Sequence, residues 1–331
     1  MKSRAKVVII ALLISFIASV IPVYFSYSSS VAVVNAAKEA EFRKAATLLQ
    51  NDLQEQANKA AARASIIASM RSIEQAFRNK DRADLMRRLE PVFLEQREKY
   101  GVREAQFILP PAISFLRVFA PTQGEGEDLS SFRNMVLTTY IKQKPQKGIE
   151  IGRRGLSIRG MEVVKDENGP IGVFEVGLDF VTILTNFKEN TGFDSGVFVD
   201  EQMMSTIATL LPKPEADKII GGFRGVEMTD WNIVRPMVNS AILSNAKEIM
   251  QLTKTVDGVD YGMVVVPLLD YKGSRIGSIV GIKNFAQYQE TLKSMLKQSI
   301  IVGFIQMIIL MMLILLGISS MSKNQLMKRG M

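Results

Sequence analysis

The chain has 331 residues and a formal charge of +8, with 41 Lys and Arg against 33 Asp and Glu, and it contains neither cysteine nor histidine. These absences exclude disulfides, Ser-His-Asp and Cys-His nucleophile systems, and the commonest metal ligand and general base. The length suffices for one large core or for two modules of ordinary domain size.

The chain begins with a basic tail and an apolar block. Lys2, Arg4 and Lys6 precede residues 7–27, which contain no Asp, Glu, Lys or Arg. A helix of about 20 apolar residues crosses the hydrocarbon core of a bilayer. A cleaved signal peptide is the alternative, but this apolar run exceeds the usual signal core and the small residues at 35–37 lie far beyond its end. We therefore predict a cytoplasmic tail over residues 1–6 and an uncleaved transmembrane helix over residues 7–27.

Residues 28–90 contain neither Gly nor Pro and are rich in Ala, Glu, Gln, Lys and Arg, which predicts one or two long stalk helices. A stripe of mainly apolar residues repeats every three or four positions, close to a 3.5-residue period. It comprises Phe42, Ala45, Leu49, Leu53, Gln56, Ala60, Ala64, Ile67, Met70, Ile73 and Phe77. The stripe favours a homodimer through the stalk; the alternative is that it packs on its own domain.

After residue 101 the sequence changes to short β-like runs separated by Gly, Pro and Asp. We predict strands over residues 106–109, 114–119, 156–164 and 170–178, with a helix over residues 128–142. The connections are too short for successive parallel crossovers, so the sheet should be antiparallel. This first module is assigned to residues 91–186.

A weak internal repeat predicts a second module. Residues 166–180 read DENGPIGVFEVGLDF, and residues 270–285 read DYKGSRIGSIVGIKNF, 104 positions later. Each copy reads as a strand, a Gly turn and a second strand, and the later glycines suit a bend or a close backbone approach. We assign the second module to residues 187–298, with further strands over residues 196–199 and 261–269.

A second apolar block, residues 299–318, contains no charged residue and predicts a second transmembrane helix. Lys323, Lys328 and Arg329 lie in the tail of residues 319–331, so both ends should be cytoplasmic and the middle outside. Six of the 41 basic residues lie in the two tails, which leaves 35 basic against 33 acidic residues between the spans. A nucleic-acid partner therefore loses its main support.

Three segments carry a family resemblance. Residues 107–117 read FILPPAISFLR and resemble the segment "FHLPPxxSFLR" of one double Cache subfamily; residues 128–133 (DLSSFR) and 148–160 (GIEIGRRGLSIRG) continue the similarity. The layout also resembles the double Cache, PAS-like sensory ectodomain of bacterial chemoreceptors, sensor kinases and cyclases. The resemblance implies an α+β fold with a long N-terminal stalk, two tandem antiparallel-sheet Cache modules and two flanking transmembrane helices, in the bacterial inner membrane.

The sequence departs from the family at two places. Ile108 stands where the family segment usually has His, which implies a different ligand if that His contacts ligand in relatives. Family members usually continue after the second span into a HAMP helix pair and a methyl-accepting, kinase or cyclase domain, whereas only residues 319–331 follow here. We therefore expect either a separate cytoplasmic or membrane signalling partner or a truncated sequence.

A ligand cavity in such a module lies over one face of the sheet, so inward polar residues matter most. A period of two places Phe115, Arg117 and Phe119 on one face, Ser157, Arg159 and Met161 on another, and Val173 with Glu175 on a third. Arg binds carboxylates through its bidentate fork and Glu binds ammonium or hydroxyl groups, which favours an amino acid or small carboxylate. The alternative is that these charges pair with one another or face water. The candidate ligand-binding residues are Ser114, Phe115, Arg117, Arg133, Arg159 and Glu175.

The sequence favours a transmembrane sensory receptor for a small molecule, without catalytic residues, cofactor or metal. A membrane-anchored binding or scaffold protein that uses a Cache fold without transmembrane signalling is the alternative. An enzyme has little support, because a chain without His or Cys would need a carboxylate pair, and no spacing nominates one.

Overall fold

The structure is a computed structural model that describes residues 2–329. It divides into two units. The helical unit comprises the chain up to Ala40, Thr255–Asp260 and the chain from Asn284 onward, and the sheet unit comprises Glu41–Lys254 and Tyr261–Lys283. The fold is α+β, as predicted.

Three helices open the chain: α1 (Lys2–Ala68), α2 (Arg71–Arg78) and α3 (Arg82–Tyr100). The side chain of Asp81 caps α3 by accepting a hydrogen bond from the backbone N–H of Asp84 at 2.9 Å, and Gly101 ends the helix in the left-handed conformation. The predicted helical segment is thus confirmed, although it consists of one long and two shorter helices and continues ten residues further than predicted.

The first sheet is antiparallel, in the order β2-β1-β5-β4-β3. Its strands are β1 (Val102–Leu109), β2 (Ile113–Arg117), β3 (Gln146–Gly152), β4 (Gly155–Asp166) and β5 (Gly169–Leu178), with α4 (Asn134–Lys142) between β2 and β3. All four predicted strands are present, and β3 was not predicted. Helix α5 (Val181–Thr191) follows β5.

The second sheet has six strands in the order β7-β8-β6-β11-β10-β9. They are β6 (Asp194–Asp200), β7 (Ile219–Ile220), β8 (Phe223–Met228), β9 (Met250–Val256), β10 (Val259–Leu269) and β11 (Arg275–Asn284), with helices α6 (Glu201–Ile207), α7 (Trp231–Met237) and α8 (Ser240–Asn245) between them. In both sheets the first and last strands in sequence, β1 with β5 and β6 with β11, pair at the centre. The shared order confirms two related modules.

The two copies of the repeat occupy equivalent hairpins, β4–β5 and β10–β11, with Gly169 and Gly273 at positive φ in the turns. A methyl group on Gly172 would lie 2.5 Å from the carbonyl oxygen of Ile108, and one on Gly277 would lie 2.0 Å from that of Phe198. Both glycines therefore let the last strand of a sheet lie close to its first strand, which explains why they recur in the repeat.

The stripe on α1 packs within the chain. Ala45, Leu49, Ala60 and Ala64 are fully buried, and a methyl group on Gly160 of β4 would lie 2.0 Å from the backbone nitrogen of Ala61. This agrees with the alternative interpretation of the stripe. Homodimerisation through the stalk stays a prediction.

A turn of the second sheet contacts the first sheet. Tyr271, between β10 and β11, donates its backbone N–H to the carbonyl oxygen of Ile149 on β3 at 3.0 Å. Its hydroxyl lies 3.3 Å from the hydroxyl of Thr138 on α4. A methyl group on Gly148 would lie 2.7 Å from the Cβ of Tyr271, so glycine leaves room for this contact.

In the helical unit, α1 and α9 (Ala286–Arg329) are each long and apolar enough to cross a membrane. Near the start of α9, the backbone N–H of Phe285 donates to the carbonyl oxygen of Asp260 at 2.7 Å. The Asp260 carboxylate lies 3.9 Å from the ammonium group of Lys38 on α1. Further along, the hydroxyls of Ser26 and Ser299 are 3.2 Å apart. Two candidate membrane helices thus flank the two sheets in sequence.

We predict that Gly172→Ala and Gly277→Ala each lower the free energy of unfolding by about 1–3 kcal/mol, because the added methyl overlaps a carbonyl oxygen of the neighbouring strand. Thermal unfolding followed by circular dichroism measures this. Gly317→Ala is the control, since its methyl meets no atom within 4 Å. Melting temperatures equal to that of the control would contradict the close-approach explanation.

Candidate functional site

Polar and charged side chains collect on the α4-facing side of the first sheet. The pairings place Glu175 of β5 beside Gln106 of β1 and Met161 of β4, and Ser157 of β4 beside Glu150 of β3. The charged members are Glu104, Arg117, Arg133, Glu150, Arg159 and Glu175, and each has at most 5% of its side chain exposed except for Glu150 at 8%. So many buried charges are stable only if they form ion pairs with one another.

Arg159 is the centre of this cluster, which we call the arginine cluster. Its Nη1 donates to the Glu104 carboxylate at 2.8 Å and to the Glu175 carboxylate at 3.0 Å. Its Nε donates to the carbonyl oxygen of Glu150 at 3.4 Å. Its Nη2 is buried and has no hydrogen-bond partner among the described residues. A methyl group on Gly152 would lie 2.5 Å from this Nη2, so glycine is needed beside it.

Arg133, the residue that precedes α4, forms the second centre. Its Nε donates to Glu150 at 2.8 Å and its Nη2 donates to Glu175, so Glu175 bridges Arg133 and Arg159. The other oxygen of Glu150 accepts the backbone N–H of Met135 in the first turn of α4 at 2.9 Å. The cluster thereby ties the start of α4 to three strands of the sheet.

The charged states of Glu104 and Arg133 are strongly favoured. Burial alone would raise the pKa of Glu104, but attraction by Arg159, Arg133 and Arg103 outweighs it and lowers the pKa to about 2. Burial would likewise lower the pKa of Arg133, but Glu175 and Glu150 raise it above its ordinary value. Glu104 and Arg133 are therefore both charged at neutral pH.

A second group of arginines lies at the edge of the cluster. Arg117 and Arg153 bind opposite oxygens of Glu127, at 2.5 Å and 2.6 Å. Burial would raise the pKa of Glu127, but hydrogen bonds from Arg153 and Arg117 lower it. The Arg153 guanidinium also lies over the ring of Phe132, 4.1 Å from its centroid.

A cavity opens between these arginines. It is lined by Arg117, Arg133, Arg153 and Arg154 together with Phe119, Phe132, Glu104, Gln106, Leu129 and Leu210. Its volume of about 10 Å³ is close to the space of one water molecule. The Arg154 guanidinium lies 5.0 Å from the centroid of Phe119. The cavity therefore has no room for a ligand larger than a water molecule in this conformation.

The structure brings most of the predicted site residues together. Arg133 and Arg159 both bind Glu175, and Arg117 lines the same cavity as Arg133. Ser114 is buried and accepts a hydrogen bond from the Gln106 side chain at 2.8 Å. Whether these residues bind a ligand stays a prediction, because their charges also pair with one another, as the alternative interpretation held.

Phe115 lies elsewhere, and its predicted placement beside Arg117 is wrong. Its ring contacts Phe77 of α2, with centroids 5.5 Å apart, and lies under the guanidinium of Arg82 on α3. The reason is a register shift: Leu116 pairs with Phe107 and Ser114 pairs with Ile108, so Phe115 is an extra, unpaired residue. Such a bulge breaks the two-residue alternation.

Sequence reasoning missed three acidic residues that pair with these arginines, Glu104, Glu127 and Glu150. Glu104 lies before the predicted start of β1, and Glu150 lies on the strand that was not predicted. The alternation Ile149-Glu150-Ile151 is a weak strand signal that places a carboxylate between two apolar residues. Glu127 lies in a loop, where no periodicity applies.

Comparison with protein families identifies the architecture. Residues 36–288 match the model of a double Cache family described as the double sensory domain of two-component sensor kinases. The chain belongs to this double Cache family. The two sheets described above are therefore its two Cache modules. Comparison with curated protein sequences gives no match.

The chain is also similar to several solved sensory domains. The ligand-binding domain of the Campylobacter jejuni chemoreceptor Tlp3 in complex with L-valine is 7% identical, with 80% of this chain and 98% of that chain covered and a TM-score of 0.47. The sensor domain of the V. cholerae histidine kinase DctB is 8% identical, with 77% and 98% covered and a TM-score of 0.42. The E. coli DcuS sensor domain is 19% identical, with 41% and 96% covered and a TM-score of 0.31.

The pKa of Glu104 predicts how stability depends on pH. The folded pKa of about 2 lies below the ordinary value of 4.5. The stabilisation by ionised Glu104 is therefore complete above pH 4.5 and is lost as the pH falls towards 2. Glu104→Gln should lower the free energy of unfolding at pH 7 by about 3 kcal/mol and reduce its loss between pH 4.5 and 2.

Urea unfolding at a series of pH values measures both effects. Glu167→Gln is the matched control, because the Glu167 side chain is 80% exposed in an ion pair with Arg78 and should leave the pH dependence unchanged. If the free energy of unfolding of Glu104→Gln falls between pH 4.5 and 2 as steeply as that of the unaltered protein, the buried cluster does not determine acid stability.

Proposed function

We propose that this double Cache protein is a transmembrane sensory receptor whose first module binds a small carboxylate. One observation supports this ligand class. The carboxylate oxygens of the site already accept hydrogen bonds, whereas some guanidinium N–H groups have no acceptor. All eight carboxylate oxygens of Glu104, Glu127, Glu150 and Glu175 accept hydrogen bonds.

The unmatched groups are guanidiniums. Arg159 Nη2 has no partner, and Arg154 contacts the face of Phe119 without forming an ion pair in the described part of the chain. A ligand carboxylate supplies the missing acceptors, and Arg binds it through two parallel hydrogen bonds. An ammonium group finds no free carboxylate at the cavity. An amino acid would therefore bind here through its carboxylate.

Glu127 is an internal carboxylate that competes with the ligand. It joins Arg117 and Arg153 from a loop, between Gly124 and Asp128, that contains two glycines at positive φ. A ligand carboxylate that replaces Glu127 keeps both guanidiniums paired and frees the loop. Binding energy is thereby coupled to a change in loop conformation, as a two-state sensor requires.

The binding signal has a route to the second module. Arg153 lines the cavity, donates to the carbonyl oxygen of Ile207, and accepts the backbone N–H of Leu210 through its own carbonyl oxygen at 2.9 Å. Tyr271 contacts β3 and α4, the elements that Glu150 and Arg133 connect. Ligand that moves Arg153 or α4 therefore changes contacts with the second module, whose strand β11 precedes α9 in the chain.

The proposal is tested with the full chain in lipid nanodiscs by isothermal titration calorimetry against butyrate, succinate, L-valine and butylamine. Binding of a carboxylate but not butylamine is expected. Arg117→Gln should weaken binding about tenfold or more by removing a charged donor. Glu127→Gln should strengthen binding, because the competing internal charge is gone.

Glu167→Gln, on the exposed β4–β5 turn, is the control and should bind as the unaltered protein does. Two results would count against a carboxylate receptor. One is binding of butylamine alone, and the other is a folded protein that binds no member of the panel, which would favour the membrane-anchored scaffold function.

We also propose that α1 and α9 cross the inner membrane of a bacterium, with both termini cytoplasmic and the two modules outside. The chain contains no cysteine, so single cysteines report topology without background. In intact spheroplasts, a membrane-impermeant maleimide should label Glu167→Cys and should label Ser3→Cys only after lysis. Labelling of Ser3→Cys in intact spheroplasts would contradict this orientation.

A further inference from the structure

A second cavity lies on the opposite, helix-facing side of the first sheet. Its volume is about 220 Å³. Helix α1 supplies Ile66 and Ile67 to its wall, α3 supplies Leu89 and Phe93, and the sheet supplies Ala105, Val118, Phe174 and Val176. The sheet residues that line this cavity are all apolar, in contrast to the arginine cluster on the other side.

Two polar residues, Arg63 and Gln96, line this apolar cavity. The Nε of Arg63 donates to the Gln96 side-chain oxygen at 2.9 Å, and the guanidinium lies 5.4 Å from the centroid of Tyr100. Within the described residues Arg63 has no carboxylate partner. Burial lowers the pKa of Arg63, which reflects a charge without full compensation.

We propose that this helix-side cavity binds a monocarboxylic acid with a compact apolar tail, such as an arylalkanoate. The tail fills the apolar space between α1, α3 and the sheet. The carboxylate pairs with Arg63 and supplies the negative charge that the chain does not. The site is independent of the arginine cluster, because the sheet separates the two.

The volume of the helix-side cavity limits the size of the ligand's apolar tail. An apolar cavity of about 150 Å³ in a protein interior accommodates benzene. A cavity of about 220 Å³ therefore holds a phenyl ring with a short alkyl chain. Ile66, Met70 and Val92 at the opening are 57%, 41% and 46% exposed, so a ligand enters without unfolding of either helix.

The charge of Arg63 favours a small acid over a second copy of the chain as the occupant of this cavity. A purely apolar opening would fit a protein neighbour, but a half-buried arginine beside a concave space is satisfied by an anion that reaches into it. A self-association that covers Ile66 and Val92 is the competing outcome of the test below.

The test uses fluorine NMR on the full chain in nanodiscs, with empty nanodiscs as the reference for partitioning. The probes are 3-(4-fluorophenyl)propionate and the matching alcohol, 3-(4-fluorophenyl)propan-1-ol. The acid should bind the unaltered chain. Arg63→Gln should weaken binding of the acid about tenfold or more and leave binding of the alcohol unchanged. Arg63→Lys should retain most of the affinity for the acid.

Two further variants localise the site. Ala105→Leu fills the cavity with apolar atoms and should abolish binding of both probes while circular dichroism shows an intact fold. Arg117→Gln, on the opposite side of the sheet, should leave binding of the acid unchanged, so failure of the arginine-cluster proposal and failure of this one are distinguishable.

The proposal is overturned if the acid binds no more than it partitions into empty nanodiscs, or if Arg63→Gln binds it as tightly as the unaltered chain. Loss of acid binding in Arg117→Gln would assign the probe to the arginine cluster instead. Absence of acid binding together with a dimer that Ile66→Lys converts to a monomer, by mass photometry, would make this face a protein interface.

Discussion

Arg159 has no exposed side-chain area, yet it carries a charge in the middle of the first sheet. A lone buried guanidinium would cost more than a small domain can offset, so the surrounding strands have to supply carboxylates at fixed positions. Glu104 of β1 and Glu175 of β5 do so, and Glu150 of β3 contributes through its carbonyl oxygen. The register of the central strands and the position of Arg159 therefore depend on each other.

This requirement divides the sheet into two chemically different sides. On the side that faces α1, α2 and α3, Phe107 and Phe174 of the sheet pack with Phe77 of α2, with neighbouring ring centroids 4.6 to 4.9 Å apart. The other side carries the arginine cluster beneath α4. The bulge at Phe115 maintains the division, because it places a phenyl ring on the apolar side and Arg117 at the cavity.

Much of the fold was predictable from local patterns. The two apolar blocks, the long helical segment and the two Gly-turn hairpins each follow from composition or periodicity over a short window. The equivalence of Gly172 and Gly277 could be inferred as well, because a close backbone approach leaves a glycine at the same place in both copies.

The site was predictable only in part, for a physical reason. Arg159 and Glu175 lie on regular strands, so their placement on one face of the sheet follows from alternation, whereas Arg133 lies just before α4. Phe115 was misplaced because a bulge depends on pairing with β1, which the sequence of β2 alone does not reveal. The acidic partners Glu104 and Glu150 lie 46 positions apart, and only the order of strands in the sheet brings both to Arg159.

The function that we propose depends on replacement of an internal carboxylate by an external one. The most direct measurement is a crystal structure of the chain with whichever of butyrate or succinate binds more tightly. We expect ligand oxygens within about 3.2 Å of Arg117 or Arg154 guanidinium nitrogens, with Glu127 released from Arg117 and Arg153. A structure in which Glu127 still bridges both arginines while the ligand lies elsewhere would contradict it.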